Sequence, residues 1–297
     1  MKIGIIGAGQ WGSALDFALS QKNEVLITSR HYHDLPGFTS LEKVLECEYL
    51  VLVLPAQVIR PWLAEHPISR RHKVLLASKG IDIETGKFLN QILEEYLPLE
   101  HLAFLSGPSF AAEVRQALPT AVVVSSIDVA LAKRYADAFP DFMKAYTSDD
   151  IVGAEIAGAY KNVIAIASGI CDGLALGNNA RAALLARGLV EMDRFGKHFG
   201  AKDETFLGLS GAGDLFLTAS SKLSRNYRVG LGLAQGKSLK DILADLGEVA
   251  EGVYTARAVC DIARKEGIYT PIANEVLAIL EGKDPRQSII DLLERKE

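Results

Sequence analysis

Cysteine is scarce in this chain, and its scarcity narrows the chemistry. Only Cys47, Cys171 and Cys260 occur in 297 residues, widely separated and without a Cys-x-x-Cys pair. Neither a disulfide framework nor a zinc cluster is expected, and the three thiols read as buried apolar filler. The six histidines show no His-x-x-x-His pairing, and no aspartate-rich loop matches a calcium or magnesium cage, so no metal is expected. Basic residues are not in excess either. Against 37 Asp and Glu stand 32 Lys and Arg with no basic tract, which disfavours general attraction to nucleic acid and leaves any anionic ligand to a local cluster. No uninterrupted apolar run approaches the ~20 residues of a membrane span, and Met1-Lys2 leads into a strand without a charged-then-apolar leader. The expectation is a soluble, cytoplasmic protein with no membrane span. At 49% hydrophobic residues, the length is ample for two packed domains.

What is present is most informative at the start. Lys2-Ile3-Gly4-Ile5-Ile6 is an apolar strand that runs into Gly7-x-Gly9-x-x-Gly12 and then into a helical pattern of Ala14, Leu15, Phe17, Ala18 and Leu19. That arrangement sets a dinucleotide pyrophosphate on a helix N-terminus. In such a fingerprint Gly7 allows the tight turn, Gly9 lets backbone N–H groups approach phosphate, and Gly12 lets helix and strand pack together. A glycine-rich turn can also serve only to reverse the chain, but here both flanks fit the nucleotide reading. The next strand, residues 24–28, ends in Ser29 and Arg30. An NAD site would place an Asp or Glu there against the ribose 2′-hydroxyl. A hydroxyl and a guanidinium instead suit a 2′-phosphate, so NADP(H) should be accepted.

Residues 2–6, 24–28, 49–54, 73–77, 102–105 and 120–125 read as strands separated by amphipathic helical stretches. They are continuous Val/Ile/Leu-rich runs, as expected of a parallel sheet covered on both faces. Gly7, Pro55, Lys79-Gly80 and Ser106-Gly107-Pro108-Ser109 follow the carboxyl ends of these runs, which in such a sheet share one ligand-binding rim. After Asp149-Asp150 the chain turns to long Ala/Gly/Leu-rich helical stretches near 151–170, 179–199, 226–235, 253–266 and 271–281. The expected architecture is α/β: an N-terminal doubly wound Rossmann-type parallel sheet over residues 1–150, and a C-terminal all-α domain over 151–297.

Lys161 stands in the middle of the apolar run 151–167. Its neighbours three and four residues away are Ala157, Gly158, Ile164 and Ala165, so no carboxylate can form the usual surface pair. Burial would prepare such an amine for proton transfer near neutral pH; the plainer reading is a lysine snorkelling from a buried helix. In Leu209-Ser210-Gly211-Ala212-Gly213-Asp214, the acid either N-caps the following helix or lies beside Lys161 and orients its amine. Ser224-Arg225-Asn226 puts a capping hydroxyl, backbone donors and a guanidinium at one helix start, which suits a phosphate but is also an ordinary N-cap. Gly232 to Ser238 is one residue short of a P-loop, and no Tyr has a Lys four residues later, which excludes the Tyr-x-x-x-Lys dehydrogenases.

Taken in order, Gly-Ala-Gly-Gln-Trp-Gly (7–12), Ser-Lys-Gly-Ile (78–81), Gly-Pro-Ser-Phe-Ala-Ala-Glu (107–113), Ala-Tyr-Lys-Asn-Val (159–163), Asn-Asn-Ala-Arg-Ala-Ala-Leu (178–184), Gly-Ala-Gly-Asp-Leu (211–215), Ser-Arg-Asn (224–226) and Val-Ala-Glu-Gly (249–252) span nearly the whole chain. This set resembles the NAD(P)-dependent glycerol-3-phosphate dehydrogenases. The resemblance implies that Lys161 is the catalytic proton donor and acceptor, and Asp214 stands with it as the second candidate catalytic residue. It implies substrate contacts from Lys79, Gly107, Ser109, Asp214, Ser224, Arg225 and Asn226. It further implies cofactor contacts, to NADP(H) or NAD(H), from Gln10, Trp11, Arg30, Lys79, Ala111, Arg225, Val249 and Glu251, besides the three glycines. The implied reaction is reduction of dihydroxyacetone phosphate to sn-glycerol 3-phosphate, reversibly, for glycerophospholipid synthesis. One departure is the connection His31–Glu48, shorter than is usual for the family, which leaves the adenosine end more open. A 3-hydroxyacid or ketopantoate-type reductase, and a non-catalytic NADPH-binding sensor, are the rival readings. The apolar surface of the helical half would serve a homodimer, though core packing explains it equally well.

Overall fold

Seven short runs of chain pair into one sheet in the computed structural model, which describes residues 1–66, 68–247 and 249–294. The strands are β1 (Lys2–Ile6), β2 (Glu24–Thr28), β3 (Tyr49–Leu52), β4 (Lys73–Leu76), β5 (Leu102–Ser106), β6 (Thr120–Ser125) and β7 (Met143–Ser148). They lie in the order β2-β1-β3-β4-β5-β6-β7. Between them run α1 (Gln10–Leu19), α2 (Leu41–Val44), α3 (Ala56–Glu65), α4 (Leu89–Leu93), α5 (Ala111–Val114) and α6 (Val129–Asp137). Ile5 pairs with both Ile27 and Val51, so β1 sits inside the sheet.

The continuous apolar runs are explained by burial on two sides. Ile3, Ile5, Val51 and Leu75 enter one core cluster, with Ala14, Leu15 and Ala18 of α1. Ile6, Leu50, Leu52, Val74 and Leu76 enter another, with Ile59 of α3 and Leu93 of α4. Alternate residues of one strand thus feed opposite layers.

Two expectations need correction. The sheet is not parallel throughout, since β5 and β6 pair antiparallel, Leu105 opposite Val124. The intervening helix α5 has only 4 residues. Among the described residues no long crossover helix lies between the two strands, and β6 starts at the same end where β5 finished. The second correction is β7, which pairs parallel with β6 at the sheet edge. Its sequence, Met-Lys-Ala-Tyr-Thr-Ser, buries only Met143 and so lacks the apolar run that marks the inner strands.

The chain groups into two compact units, Met1–Lys79 with Phe88–Glu155, and Gly80–Lys87 with Ile156–Glu297. From residue 151 onward the described regular structure is helical: α7 (Ile151–Gly173), α8 (Asn178–His198), α9 (Asp203–Leu207), one π-helical turn (Leu209–Gly213), α10 (Asp214–Ala219), α11 (Arg225–Ala234), α12 (Leu239–Leu246), α13 (Glu251–Glu266), α14 (Pro271–Leu280) and α15 (Pro285–Glu294). Helix α7 has the length and hydropathy of a membrane span, yet 94% of that stretch is buried by protein. Glycines on α7 and α11 let these two helices touch backbone to backbone. A Cβ on Gly169 would lie 2.1 Å from the carbonyl oxygen of Tyr227, and one on Gly230 would lie 2.0 Å from that of Ile166.

Candidate active site

The turn after β1 separates its three glycines by task. Gly7 has φ +115°, and a Cβ there would lie 2.3 Å from the Val53 oxygen; one on Gly12 would lie 1.8 Å from the Gly7 oxygen. Both are demanded by packing. Gly9 is not, because a Cβ there would meet nothing within 4 Å. Its bareness leaves open space before the first turn of α1, where backbone N–H groups have no acceptor within the helix. This is a cradle that fits a dinucleotide pyrophosphate. Gln10 opens α1 and is exposed, while Trp11 is partly buried against the sheet core. Arg30 is exposed just past β2, and its Nε donates to His31 Nε2 at 3.3 Å.

The other rim positions follow β4 and β5. Lys79 is partly buried beyond β4. Gly107 takes φ +101° directly after β5, and Ser109 Oγ donates to its carbonyl at 3.1 Å. Ala111 is the first residue of α5.

In the helical unit, Lys161 finds its partners on α10. Its Nζ donates to Asp214 Oδ1 at 2.6 Å and to Thr218 Oγ1 at 2.8 Å, and the Thr218 hydroxyl lies 3.3 Å from the same carboxylate oxygen. Lys161 is 6% exposed, Asp214 1% and Thr218 5%. Asp214 therefore does not cap its helix, whose N-cap is Gly213. The preceding π-helical turn is built of small residues because a Cβ on Gly211 would lie 2.2 Å from the Phe206 oxygen. Single π-turns of this kind are rare and occur frequently at functional sites, and this one leads directly into Asp214. A buried ammonium in an apolar helix is tolerable only when paired. The carboxylate supplies that pairing and fixes the amine.

A second junction adjoins it. Asn162 follows Lys161 on α7, and its Oδ1 accepts from Asn226 Nδ2 at 2.9 Å; Asn226 Oδ1 accepts from the Gly252 N–H at 2.9 Å. A Cβ on Gly252 would lie 2.7 Å from the Asn162 backbone oxygen. Three motifs far apart in sequence thus meet at one buried asparagine pair. Ser224 Oγ accepts from the Tyr227 N–H and is the N-cap of α11. Arg225 is exposed at the first position of that helix, Val249 is 40% exposed, and Glu251 opens α13. Behind them, the Tyr227 hydroxyl donates to Asp172 at 2.6 Å, and Arg181 of the 178–184 motif pairs with the same carboxylate at 3.1 Å. Burial and that carboxylate push the Tyr227 phenol up to about 12. Glu191 accepts from the Tyr160 hydroxyl and from the N–H groups of Ile272 and Ala273, capping α14, while burial holds its carboxyl above the usual range.

Sequence reasoning missed Thr218 and Asn162. Thr218 carried a signal, since it lies four residues past Asp214 on a helix, the spacing that puts two side chains on one face. Asn162 was visible only as Lys161's neighbour in a motif.

A glycine-rich turn on a mostly parallel sheet, and a helical unit holding a buried lysine on an aspartate, are the parts of a two-domain nicotinamide-dependent dehydrogenase. More narrowly, the chain belongs to the NAD-dependent glycerol-3-phosphate dehydrogenase family, whose N-terminal pattern matches residues 33–132 and whose C-terminal pattern matches 150–291. It is 74% identical over 295 residues to glycerol-3-phosphate dehydrogenase (NAD(P)+) of a Nitratiruptor species, covering 99% of each chain. It is 61% identical over 292 residues to that of Sulfurimonas denitrificans, covering 98% of this chain and 99% of the relative. The crystal structure of a glycerol-3-phosphate dehydrogenase from Coxiella burnetii superposes with a TM-score of 0.92 at 34% identity, over 99% of both chains.

Proposed function

We propose that this chain reduces dihydroxyacetone phosphate to sn-glycerol 3-phosphate, reversibly, with Lys161 as its acid and base. The observation that carries the reading is the buried Lys161–Asp214–Thr218 cluster, with the Asn162–Asn226 junction beside it. Bound NADPH or NADH supplies the hydride. As the ketone oxygen becomes an alkoxide, Lys161 Nζ gives it a proton, and in the reverse direction the same amine takes that proton back. Asp214 and Thr218 hold the amine in place, so little freedom remains to be lost at the moment of transfer.

Ser224, Arg225 and the remaining amide N–H of Asn226 are assigned to the substrate phosphate, with Lys79, Gly107 and Ser109 as further substrate contacts. Binding energy spent on the phosphate then orients the three-carbon ketone. The open space at Gly9, with Gln10, Trp11 and Ala111 nearby in the fold of the sheet unit, is assigned to the dinucleotide, and Arg30 to a 2′-phosphate. Arg225, Val249 and Glu251 are assigned to the cofactor as well. We place the reaction in the cytoplasm, supplying glycerol 3-phosphate for glycerophospholipids, with a homodimer as the expected assembly.

The test is a spectrophotometric assay crossing NADPH and NADH with dihydroxyacetone phosphate and with carboxylate ketones such as ketopantoate. The expected result is steady nicotinamide oxidation with the phosphate ketone. Turnover of the carboxylate ketones alone would favour the hydroxyacid reductase reading, and binding of NADPH without turnover would favour the sensor.

A further inference from the structure

Arg115 belongs to none of the motifs above, yet it is hydrogen-bonded to one of them. It follows α5 directly, with helical backbone at φ −65° and ψ −16°. Its neighbour Val114 is fully buried in the core cluster that also holds Ala14 and Leu15 of α1, so the two helices are anchored together. From that base Nη1 donates to the Gln10 backbone oxygen at 3.2 Å, and Nη2 to Gln10 Oε1 at 2.7 Å. Gln10 is the first residue of α1 and adjoins Gly9, where the open space lies.

Two consequences follow. With Oε1 turned to the guanidinium, the Gln10 amide keeps Nε2 as its donor end, and a donor suits a phosphate oxygen. Secondly, the guanidinium stands at the end of α1 where the helix dipole is already positive, and among the described residues no carboxylate is paired with it. Cations are disfavoured at helix N-termini unless an anion joins them. A contact made only for stability would use an acidic side chain here.

We propose that Arg115 is a positioning residue for cofactor binding: it fixes Gln10 and holds a positive charge at the α1 N-terminus whose counterpart is the pyrophosphate of the nicotinamide dinucleotide. This rests on the proposed function, in which the sheet unit carries that cofactor.

The test measures NADPH dissociation constants, steady-state kinetics and melting temperatures with and without NADPH for the full-length wild type, Arg115→Ala, Arg115→Lys, Gln10→Ala and the Gln10→Ala/Arg115→Ala double variant. Arg115→Ala is expected to weaken NADPH binding by roughly 5- to 30-fold through KM, with kcat changed less than about twofold. Its ligand-free melting temperature should be unchanged or higher, while the rise on adding NADPH shrinks. Arg115→Lys should recover only part of the affinity, because an ammonium cannot span both Gln10 acceptors. The double variant should lose less than the product of the two single losses. Wild type that binds NADPH while Arg115→Ala binds it equally well would overturn the inference alone. So would strictly multiplicative losses, or a fall in the ligand-free melting temperature that accompanies the weaker binding. Wild type that binds no nicotinamide dinucleotide would overturn both the inference and the function it rests on.

Discussion

Removing either member of the Lys161–Asp214 pair strands the other charge where solvent barely reaches, since the two side chains are 8% and 2% exposed. Breaking such a pair from one side costs about 3–5 kcal/mol, much more than removing both charges together. Lys161→Met should therefore lower unfolding free energy by that order in urea titration, and adding Asp214→Asn should restore most of it without restoring turnover. Equal stability of the single and double variants would mean that the carboxylate is not compensating the amine. At this scale the sequence was half legible. Lys161 stood out because no carboxylate lies within one helical turn of it, whereas its partners Asp214 and Thr218 are 53 and 57 residues away. Nothing local marks a contact of that separation; only the fold makes it.

Helix α7 carries Lys161 and Asn162, and α11 begins with Arg225 and Asn226, so the approach of these two helices sets where the junction forms. Gly169 and Gly230 permit that approach. A methyl group at 230 cannot be relieved by a side-chain rotation, because what it meets is the Ile166 carbonyl oxygen. Gly230→Ala should cost about 1–3 kcal/mol of stability and also slow turnover, as the helices part and Asn226 is drawn from Asn162. Unchanged melting and kinetics would show that α11 shifts freely. The inner strands were legible because burial on both faces leaves uninterrupted apolar runs. The antiparallel turn from β5 to β6 was not, since strand direction is set by pairing across the sheet and leaves no local pattern, and neither was the polar edge strand β7.

Across the whole molecule the chain leaves the sheet unit for the helical unit inside α7, immediately after Glu155. Glu155 Oε1 accepts from the Asn90 N–H at 3.0 Å at the start of α4, and Oε2 is buried without a hydrogen bond among the described residues. Burial, with Glu94 nearby, pushes this carboxyl up to about 8 from an ordinary value of 4.5, despite the backbone donors that favour the charged form. A carboxyl raised on folding binds more protons in the native state than in the unfolded chain. Its contribution is therefore present below about pH 4.5 and is lost as pH rises toward 8. Urea unfolding across that window should show stability declining with pH, and Glu155→Gln, which keeps the acceptor, should flatten the slope. An unaltered slope in the variant would assign it to other groups.

The proposed chemistry turns on one proton. The most direct measurement is single-turnover reduction of dihydroxyacetone phosphate by the Lys161→Met protein with NADPH bound, alongside the NADPH dissociation constant of the same protein. Hydride transfer slowed on the order of 10²–10⁴-fold, with NADPH held as in the wild type, is the predicted result. Transfer within a few-fold of the wild-type rate would contradict it.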